Sequence, residues 1–289
     1  MRLPPDLPVV DHHCHLSPTG EGIEAVRRFQ RAGGSHLFLA TQNYTSGAPT
    51  TLEAYREQFE LTETLARRAS EETGVVLYPV LSPYPVDLVH VEPQMGLAAA
   101  KDLQMAAIDA AAREVAAHRA VALGEVGRPH FPVSQPVAEA CEAVLIHALE
   151  SGRDVGCPVV LHTEELDADG YRALAGLAAR VGFPAGRLVK HYARSIVPDD
   201  GRLGLVPSYL ATRDLVPPTL ATPAPWFWET DFLDDPARPG AVLDLATVPK
   251  RAAALAQDPE SAERLRIPFV ESVEKVYGIT PIRATRGAT

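Results

Sequence analysis

Cysteine is scarce in this chain of 289 residues, which contains only Cys14, Cys141 and Cys157. The number is odd, and the three residues are far apart in the sequence. These features argue against a disulfide framework and against a zinc ribbon. The cysteines are therefore predicted to be reduced core residues without a catalytic role.

Long apolar runs and excess basic charge are also missing. No stretch approaches the ~18 uncharged apolar residues of a membrane helix, and we expect a cytoplasmic protein with no membrane partner. Lys and Arg number 27 against 37 Asp and Glu, so the formal net charge is −10. This balance argues against broad electrostatic adhesion to nucleic acid. A phosphate substrate stays open, because bound dications would reverse the field at a site.

Apolar, β-branched runs alternate along the chain with alanine-rich stretches of helical period. This rhythm is typical of βα units around a parallel sheet. It predicts an α/β fold of the TIM-like (β/α)8 barrel class, which routinely takes about 250 residues as one domain. The eight predicted strands are Pro8–His13, His36–Thr41, Val75–Leu81, Ala120–Glu125, Pro158–His162, Arg187–His191, Leu205–Leu210 and Trp226–Asp231.

Two helices of this barrel are predicted to be short. Only about forty residues separate His191 from Asp231, and they must supply two βα units. The intervening segment Val216–Pro225 is too rich in proline for a long helix. Helices 6 and 7 are therefore predicted to be reduced, within one barrel domain at residues 1–282 that is followed by a flexible tail at 283–289.

The run Asp11-His12-His13-Cys14-His15 ends the first predicted strand. Alternation with period two places His13 and His15 on one face, where two imidazoles can reach one metal ion. A polar strand end without a ligand is the alternative interpretation of such a pair.

Further residues of metal-ligand chemistry end other predicted strands. Polar groups that finish apolar strands are costly to bury unless they are paired or bind a metal, and catalytic groups of TIM barrels come from this end of the strands. The four residues are Glu125, His162, His191 and Asp231.

These motifs resemble the TatD-like metal-dependent hydrolases of the amidohydrolase superfamily, in particular their archaeal-type branch. The resemblance covers nearly the whole chain, through DHHCHL, GEVG, LHTE, KHY and ETDF. It implies two divalent metal ions, drawn from Zn, Mn, Fe, Co, Ni or Mg. The implied ligands are His13, His15 and Asp231 for one ion, and His162 and His191 for the other, with Glu125 bridging both.

Residues around these ligands have predicted roles of their own. Asp11 and Glu229 face inward one layer below, where they would orient imidazoles or the catalytic water. Arg128, His130 and Arg194 are candidates for contact with a substrate anion, although a solvated surface role is equally open for these loop residues. The sequence after His191 departs from the His-Cys-Phe-Ser-Gly that is usual in TatD nucleases, so the substrate is open.

The resemblance implies an enzyme of the nuclease type, in which metal-activated water hydrolyses a phosphodiester and Asp231 acts as general base. The substrate would be a small molecule or a short nucleic acid. An amidohydrolase or lactonase acting on a small carbonyl compound is the alternative, because the same metal site would serve it. A further alternative is a protein in which metal is structural only.

Overall fold

The computed structural model describes residues 3–45 and 47–283 of the chain. Nine parallel strands, with helices interleaved between them, form a sheet in the order β8-β7-β6-β5-β4-β3-β2-β1-β9, which is the α/β architecture of a TIM-like barrel. The strands are β1 Val10–His15, β2 His36–Ala40, β3 Val76–Leu81, β4 Ala122–Gly127, β5 Val159–His162, β6 Leu188–Ala193, β7 Val206–Leu210, β8 Phe227–Glu229 and β9 Phe232–Leu233. The predicted fold class is confirmed, and the eight predicted strands match β1 to β8 to within two residues at each end.

Helices separate successive strands. The helices that follow β6 and β7, numbered α7 and α8 below, have four residues each. They are the sixth and seventh helices of the barrel, so the prediction that these two helices are reduced is confirmed. The helices are α1 Ile23–Arg31, α2 Leu52–Thr73, α3 Asp87–Met95, α4 Leu97–Ala116, α5 Gln135–Val155, α6 Ala168–Arg180, α7 Asp199–Arg202, α8 Val216–Thr219, α9 Thr247–Leu255, α10 Pro259–Arg264 and α11 Ser272–Tyr277. Within the described residues, no helix has both the length and the apolarity needed to cross a membrane.

The chain divides into two compact units. The first comprises Met1–Leu39, Leu65–Tyr78 and Pro207–Thr289, as far as these ranges are described, and the second comprises Ala40–Thr64 and Pro79–Val206. The prediction of one domain over residues 1–282 stays a prediction. The predicted tail lies outside the described residues except for Arg283, whose guanidinium donates to the Leu7 carbonyl at 3.1 Å.

The core of the second unit lies between its strands and α4, α5 and α6. Side chains such as Leu123, Val159 and Leu188 are fully buried there, and the long alanine-rich helices α4 and α5 pack on each other. Strands buried on both faces are apolar almost throughout, which is why β4 and β5 are apolar apart from Glu125 and His162. Those exceptions are therefore informative.

The core of the first unit is aromatic. The Trp226 and Trp228 rings lie 5.4 Å apart, and Phe269 packs edge-on against Trp228. The Trp228 indole donates to the Thr219 hydroxyl at 2.8 Å, which satisfies its buried N–H. Burial of this kind stabilises β8 by about 1.5–3 kcal/mol for each large side chain.

Candidate metal-binding clusters

A first cluster of potential ligands lies in the first unit, at the end of β1. The Nε2 atoms of His13 and His15 are 3.2 Å apart, which confirms that the two side chains share a face. The Asp231 carboxylate lies 3.5 Å from His15 Nε2 and 3.9 Å from His13 Nε2. Three donor atoms from two sequence-distant segments thus form a triangle, with both imidazoles buried.

The sequence predicts that Asp231 ends a strand. In the structure it lies instead in the break between β8 and β9. Its φ of 47° is in the left-handed region, which aspartate adopts more readily than most residues. Its backbone N–H donates to the His13 carbonyl at 3.0 Å, and the next residue, Phe232, pairs with Cys14. The break in the strand therefore turns this carboxylate toward the two histidines.

Asp11 fixes the same region through the backbone. Its carboxylate accepts hydrogen bonds from the backbone N–H groups of His13 at 3.2 Å and Thr230 at 3.0 Å, and from the Thr230 hydroxyl at 2.7 Å. Complete burial raises the pKa of this carboxyl to about 7, against the opposing effect of the bonds from Thr230. Asp11 thus ties β1 to the segment that carries Asp231.

Glu229, the other acid that is predicted to face inward, is fully buried at the end of β8. Its Oε2 lies 4.0 Å from His12 Nδ1, and His12 Nε2 lies 2.7 Å from the Tyr277 hydroxyl. The His12 ring also stacks on Phe227 at 4.0 Å. His12 is thereby held in the core by aromatic contacts, on the face of β1 opposite to His13 and His15.

A second cluster lies in the second unit, where β4, β5 and β6 end. Glu125 Oε2 is 2.7 Å from His162 Nδ1 and 3.5 Å from His191 Nε2, and the two nitrogen atoms are 3.3 Å apart. Glu125 and His191 are buried, while His162 is only slightly exposed. The cluster is therefore a second triangle of one carboxylate and two imidazoles.

A bulge in β4 directs Glu125 into this cluster. Gly124 pairs with Val160 and Val126 pairs with Leu161, so the register between β4 and β5 shifts at Glu125. Such bulges re-aim a side chain and are common beside functional sites. A comparable register shift lies between Asp11 and Cys14 in β1, at the histidines of the first cluster.

Both triangles fit a divalent metal ion. Zinc-like ions bind imidazole nitrogen and carboxylate oxygen at about 2.0–2.2 Å, so two ligand atoms on one tetrahedral ion lie roughly 3.3–3.6 Å apart. The distances of 3.2–3.9 Å in the first cluster and 2.7–3.5 Å in the second lie around that spacing. Burial is also explained, since carboxylates and imidazoles are costly to desolvate without a partner. These clusters support the use of divalent metal.

The three predicted substrate contacts have different surroundings. Arg128 forms a two-pronged ion pair with Glu164, with Nε donating to Oε2 at 2.8 Å, so its charge is already compensated. The exposed guanidinium of Arg194 lies over the Tyr192 ring at 5.7 Å. His130 is largely exposed, but its Nδ1 lies 3.0 Å from His162 Nε2. Partial desolvation of the ring and the neighbouring His162 both lower the pKa of His130.

Sequence reasoning missed Tyr84, whose hydroxyl lies 3.3 Å from His162 Nε2. It stands in the loop after β3, within SPYPV, where no ligand pattern distinguishes it from a turn residue. The cysteines, by contrast, are buried and free as predicted, and burial raises the pKa of the Cys14 thiol.

The fold and the two clusters define a class: a TIM-like α/β barrel that carries two groups of histidine and carboxylate side chains with metal-ligand chemistry. The chain belongs to the TatD family, because the model of the TatD related DNase family matches residues 10–278. The resemblance stated from the motifs is thereby confirmed.

Individual relatives resemble this chain in sequence or in fold. The uncharacterized protein MJ1127 of Methanocaldococcus jannaschii is 29% identical over 282 residues, covering 94% of this chain and 96% of the relative. The TatD-like protein AF1765 of Archaeoglobus fulgidus shares the fold with a TM-score of 0.60 at 15% identity, covering 93% of this chain and all of that one. The TatD homologue YJJV of Escherichia coli K12 has a TM-score of 0.61 at 19% identity, covering 94% and 98%.

Proposed function

We propose that this protein is a binuclear metal-dependent hydrolase that cleaves phosphodiester bonds, as a deoxyribonuclease or phosphodiesterase of the TatD type. The observation that carries the proposal is the pair of His–His–carboxylate triangles, each with metal-ligand spacing. The bond type follows from the family, whose model is described by deoxyribonuclease activity. The geometry supports metal use, and the family supports the substrate class.

The proposed ligands form two sets. His13, His15 and Asp231 would hold one divalent ion, and Glu125, His162 and His191 would hold another. The family resemblance supports a shared reaction for the two ions. Mixed imidazole and carboxylate ligands accept Zn, Mn, Fe, Co or Ni, and availability decides among them.

When bound, divalent ions in such sites would lower the pKa of a water molecule to near neutrality and would polarise a phosphoryl oxygen, so that the phosphorus is open to attack by the water. Asp231 accepts the proton of the attacking water and passes it to the leaving oxygen. Its side chain is 16% exposed, so its carboxylate is open to exchange with solvent. Asp11 keeps Asp231 in place indirectly, by fixing the backbone of Thr230 beside it.

Sparse basic charge favours a small phosphodiester or the end of a short nucleic acid over a long duplex. Arg128 is paired with Glu164, and Arg194 is exposed and lies 4.0 Å from Glu165. A net charge of −10 disfavours the broad electrostatic attraction on which tight binding of long nucleic acid depends.

The test is a substrate panel on protein reconstituted with Zn²⁺, Mn²⁺ or Co²⁺. It compares bis-nitrophenyl phosphate and short single-stranded DNA with lactones and N-acyl compounds. Phosphodiester hydrolysis that disappears on metal removal supports the proposal. Turnover of lactones or N-acyl compounds alone would instead assign the carbonyl chemistry, and no turnover of any substrate by metal-loaded protein would leave the metal a structural role. Asp244→Asn, a change at an exposed carboxylate, is the matched control.

A further inference from the structure

Both ring nitrogens of His162 have polar partners within the second unit. On one side, Nδ1 faces Glu125 Oε2 at 2.7 Å and His191 Nε2 at 3.3 Å. On the other side, Nε2 faces His130 Nδ1 at 3.0 Å and the Tyr84 hydroxyl at 3.3 Å. A neutral imidazole has one N–H donor and one lone pair, so whichever nitrogen carries the proton decides where the lone pair points.

We propose that His130 and Tyr84 are positioning residues for His162. They accept the hydrogen bond of its Nε2–H and so keep the Nδ1 lone pair directed at the metal. A ligating histidine almost always donates its other ring N–H to an oxygen or a similar acceptor, which fixes its tautomer and orientation. The inference rests on the proposed metal centre and assigns to His130 a task other than contact with substrate.

The segment that carries His130 is attached to β5 next to His162. The Arg128 backbone N–H donates to the His162 carbonyl at 3.0 Å. This approach requires Gly127, since a Cβ there would lie 2.1 Å from the same carbonyl oxygen, and its φ is 141°. The Arg128 guanidinium also donates to the carboxylate of Glu164, two residues beyond His162. Main-chain and side-chain contacts thus hold this loop against the strand end.

Tyr84 reaches His162 from the loop after β3 and is held independently. Its ring lies edge-on to the His162 ring, with centroids 5.0 Å apart and an interplanar angle of 77°. Its carbonyl accepts from the Gln104 side chain and from the Asp87 backbone, each at 3.0 Å. Two loops with separate anchors therefore place their polar atoms on the same ring nitrogen, which a solvated surface role for His130 does not explain.

The experiment compares His130→Ala, His130→Asn and Tyr84→Phe with the wild type, with His147→Ala as control. His147 is also a partly exposed histidine with a polar partner, Asp109 at 2.7 Å, but it lies on α5. Zn²⁺ affinity is measured by chelator competition, the absorption spectrum is recorded with Co²⁺, and the His162 tautomer is read by ¹⁵N NMR of labelled histidine. Far-UV circular dichroism checks the fold.

Loss of one outer partner of a metal ligand typically lowers metal affinity by about 10–100-fold. We expect a loss of that order in one of the two binding steps for His130→Ala, together with an altered Co²⁺ spectrum. His130→Asn should recover part of the affinity, because its amide oxygen can accept the Nε2–H bond. Tyr84→Phe should lower affinity by less than His130→Ala, given its longer contact, and His147→Ala should change neither step.

Unchanged Zn²⁺ affinity and Co²⁺ spectrum in His130→Ala would overturn the inference, as would a higher KM with metal binding intact, which would mark a substrate contact. An Nδ1-protonated His162 in the metal-loaded wild type would also overturn it. The proposed function fails separately, if the wild type binds Zn²⁺ yet hydrolyses no phosphodiester. A wild type that binds no metal would contradict both.

Discussion

Replacing Asp231 by asparagine would separate its role as a ligand from its role as a base. The change exchanges one oxygen for an amide nitrogen at nearly constant volume. Asp231 has a φ of 47°, and asparagine is among the few non-glycine residues common in that region. The hydrogen bond from its backbone to the His13 carbonyl should therefore persist, so that the fold around the first cluster is retained.

The expected loss of turnover is large and the expected loss of stability is small. The Asp231 carboxylate is one of three donors, 3.5 Å and 3.9 Å from the nitrogens of His15 and His13, and an amide oxygen can hold an ion weakly in its place. An amide has no useful basicity, however. General bases contribute about 10²–10⁴-fold, so the activation free energy should rise by roughly 3–5 kcal/mol. The free energy of unfolding should change by less than about 1 kcal/mol.

The assay is kcat and KM for bis-nitrophenyl phosphate at saturating metal, with elemental analysis and circular dichroism on the same samples. Asp244→Asn is the control, because that exposed carboxylate contacts Arg28 at 3.0 Å and the Ala246 backbone N–H at 2.9 Å and belongs to neither cluster. The reasoning is refuted if Asp231→Asn keeps kcat within a few-fold of the wild type. If Glu229→Gln abolishes turnover in the same series, the proton acceptor is Glu229.

Three other perturbations test separate parts of the account. Glu125→Gln should weaken metal binding by the second cluster. Because Glu125 supplies a carboxylate directly, without the carboxylation by bicarbonate that a lysine ligand requires, added bicarbonate should not change wild-type activity. Rescue of an inactive preparation by bicarbonate alone would contradict this. Gly127→Ala should lower the free energy of unfolding by on the order of 3 kcal/mol, because the added Cβ would clash with the His162 carbonyl. Gly156→Ala is the control: Gly156 has a φ of 72° but no atom within 4 Å of the added Cβ, so its free energy of unfolding should fall by only about 1 kcal/mol. Equal effects of the two variants in urea denaturation would refute the clash. Burial raises the pKa of Asp87 to about 6, so the folded protein binds this proton more tightly than the unfolded protein does and loses stability as the pH rises from about 4 through 6. Urea denaturation should therefore show the stability of Asp87→Asn, relative to wild type, rising by on the order of 3 kcal/mol between pH 4 and pH 8. A stability difference that stays constant over this pH range would contradict the raised pKa.

The fold could be predicted because its signals are local. The run VVLH and the alanine-rich stretch before His118 carry their periodicity within a few residues, so strands and long helices followed from composition. The short α7 and α8 followed from the prolines between His191 and Asp231. The period of two likewise placed His13 and His15 on one face, and their nitrogens are 3.2 Å apart.

The details around the ligands depend on contacts between distant segments, which a single sequence does not display. The bulge that turns Glu125 inward is set by the register of β4 on β5, and ALGEVG reads equally well as a regular strand. Asp231 was expected at a strand end, but the break between β8 and β9 arises because Phe232 pairs with Cys14 of β1. Tyr84 could not be predicted either, because its contact with His162 joins segments that are 78 residues apart in the sequence.

Pairing also changes the interpretation of charged residues. Arg128 and Arg194 were equivalent as loop cations in the sequence, yet Arg128 is neutralised by Glu164 and Arg194 is exposed. Of the two, Arg194 is therefore the stronger candidate for contact with a substrate anion. The assignment of Arg128, His130 and Arg194 to substrate binding stays a prediction.

The most direct test of the central claim is the metal content of protein purified without chelator. Elemental analysis should find up to two divalent transition-metal ions per chain in the wild type. The double variant His13→Ala with His15→Ala, which removes two of three donors from the first cluster and leaves the second intact, should contain fewer, with the circular dichroism spectrum unchanged. A double variant that retains the full wild-type metal content would contradict the assignment of the first cluster as a metal site.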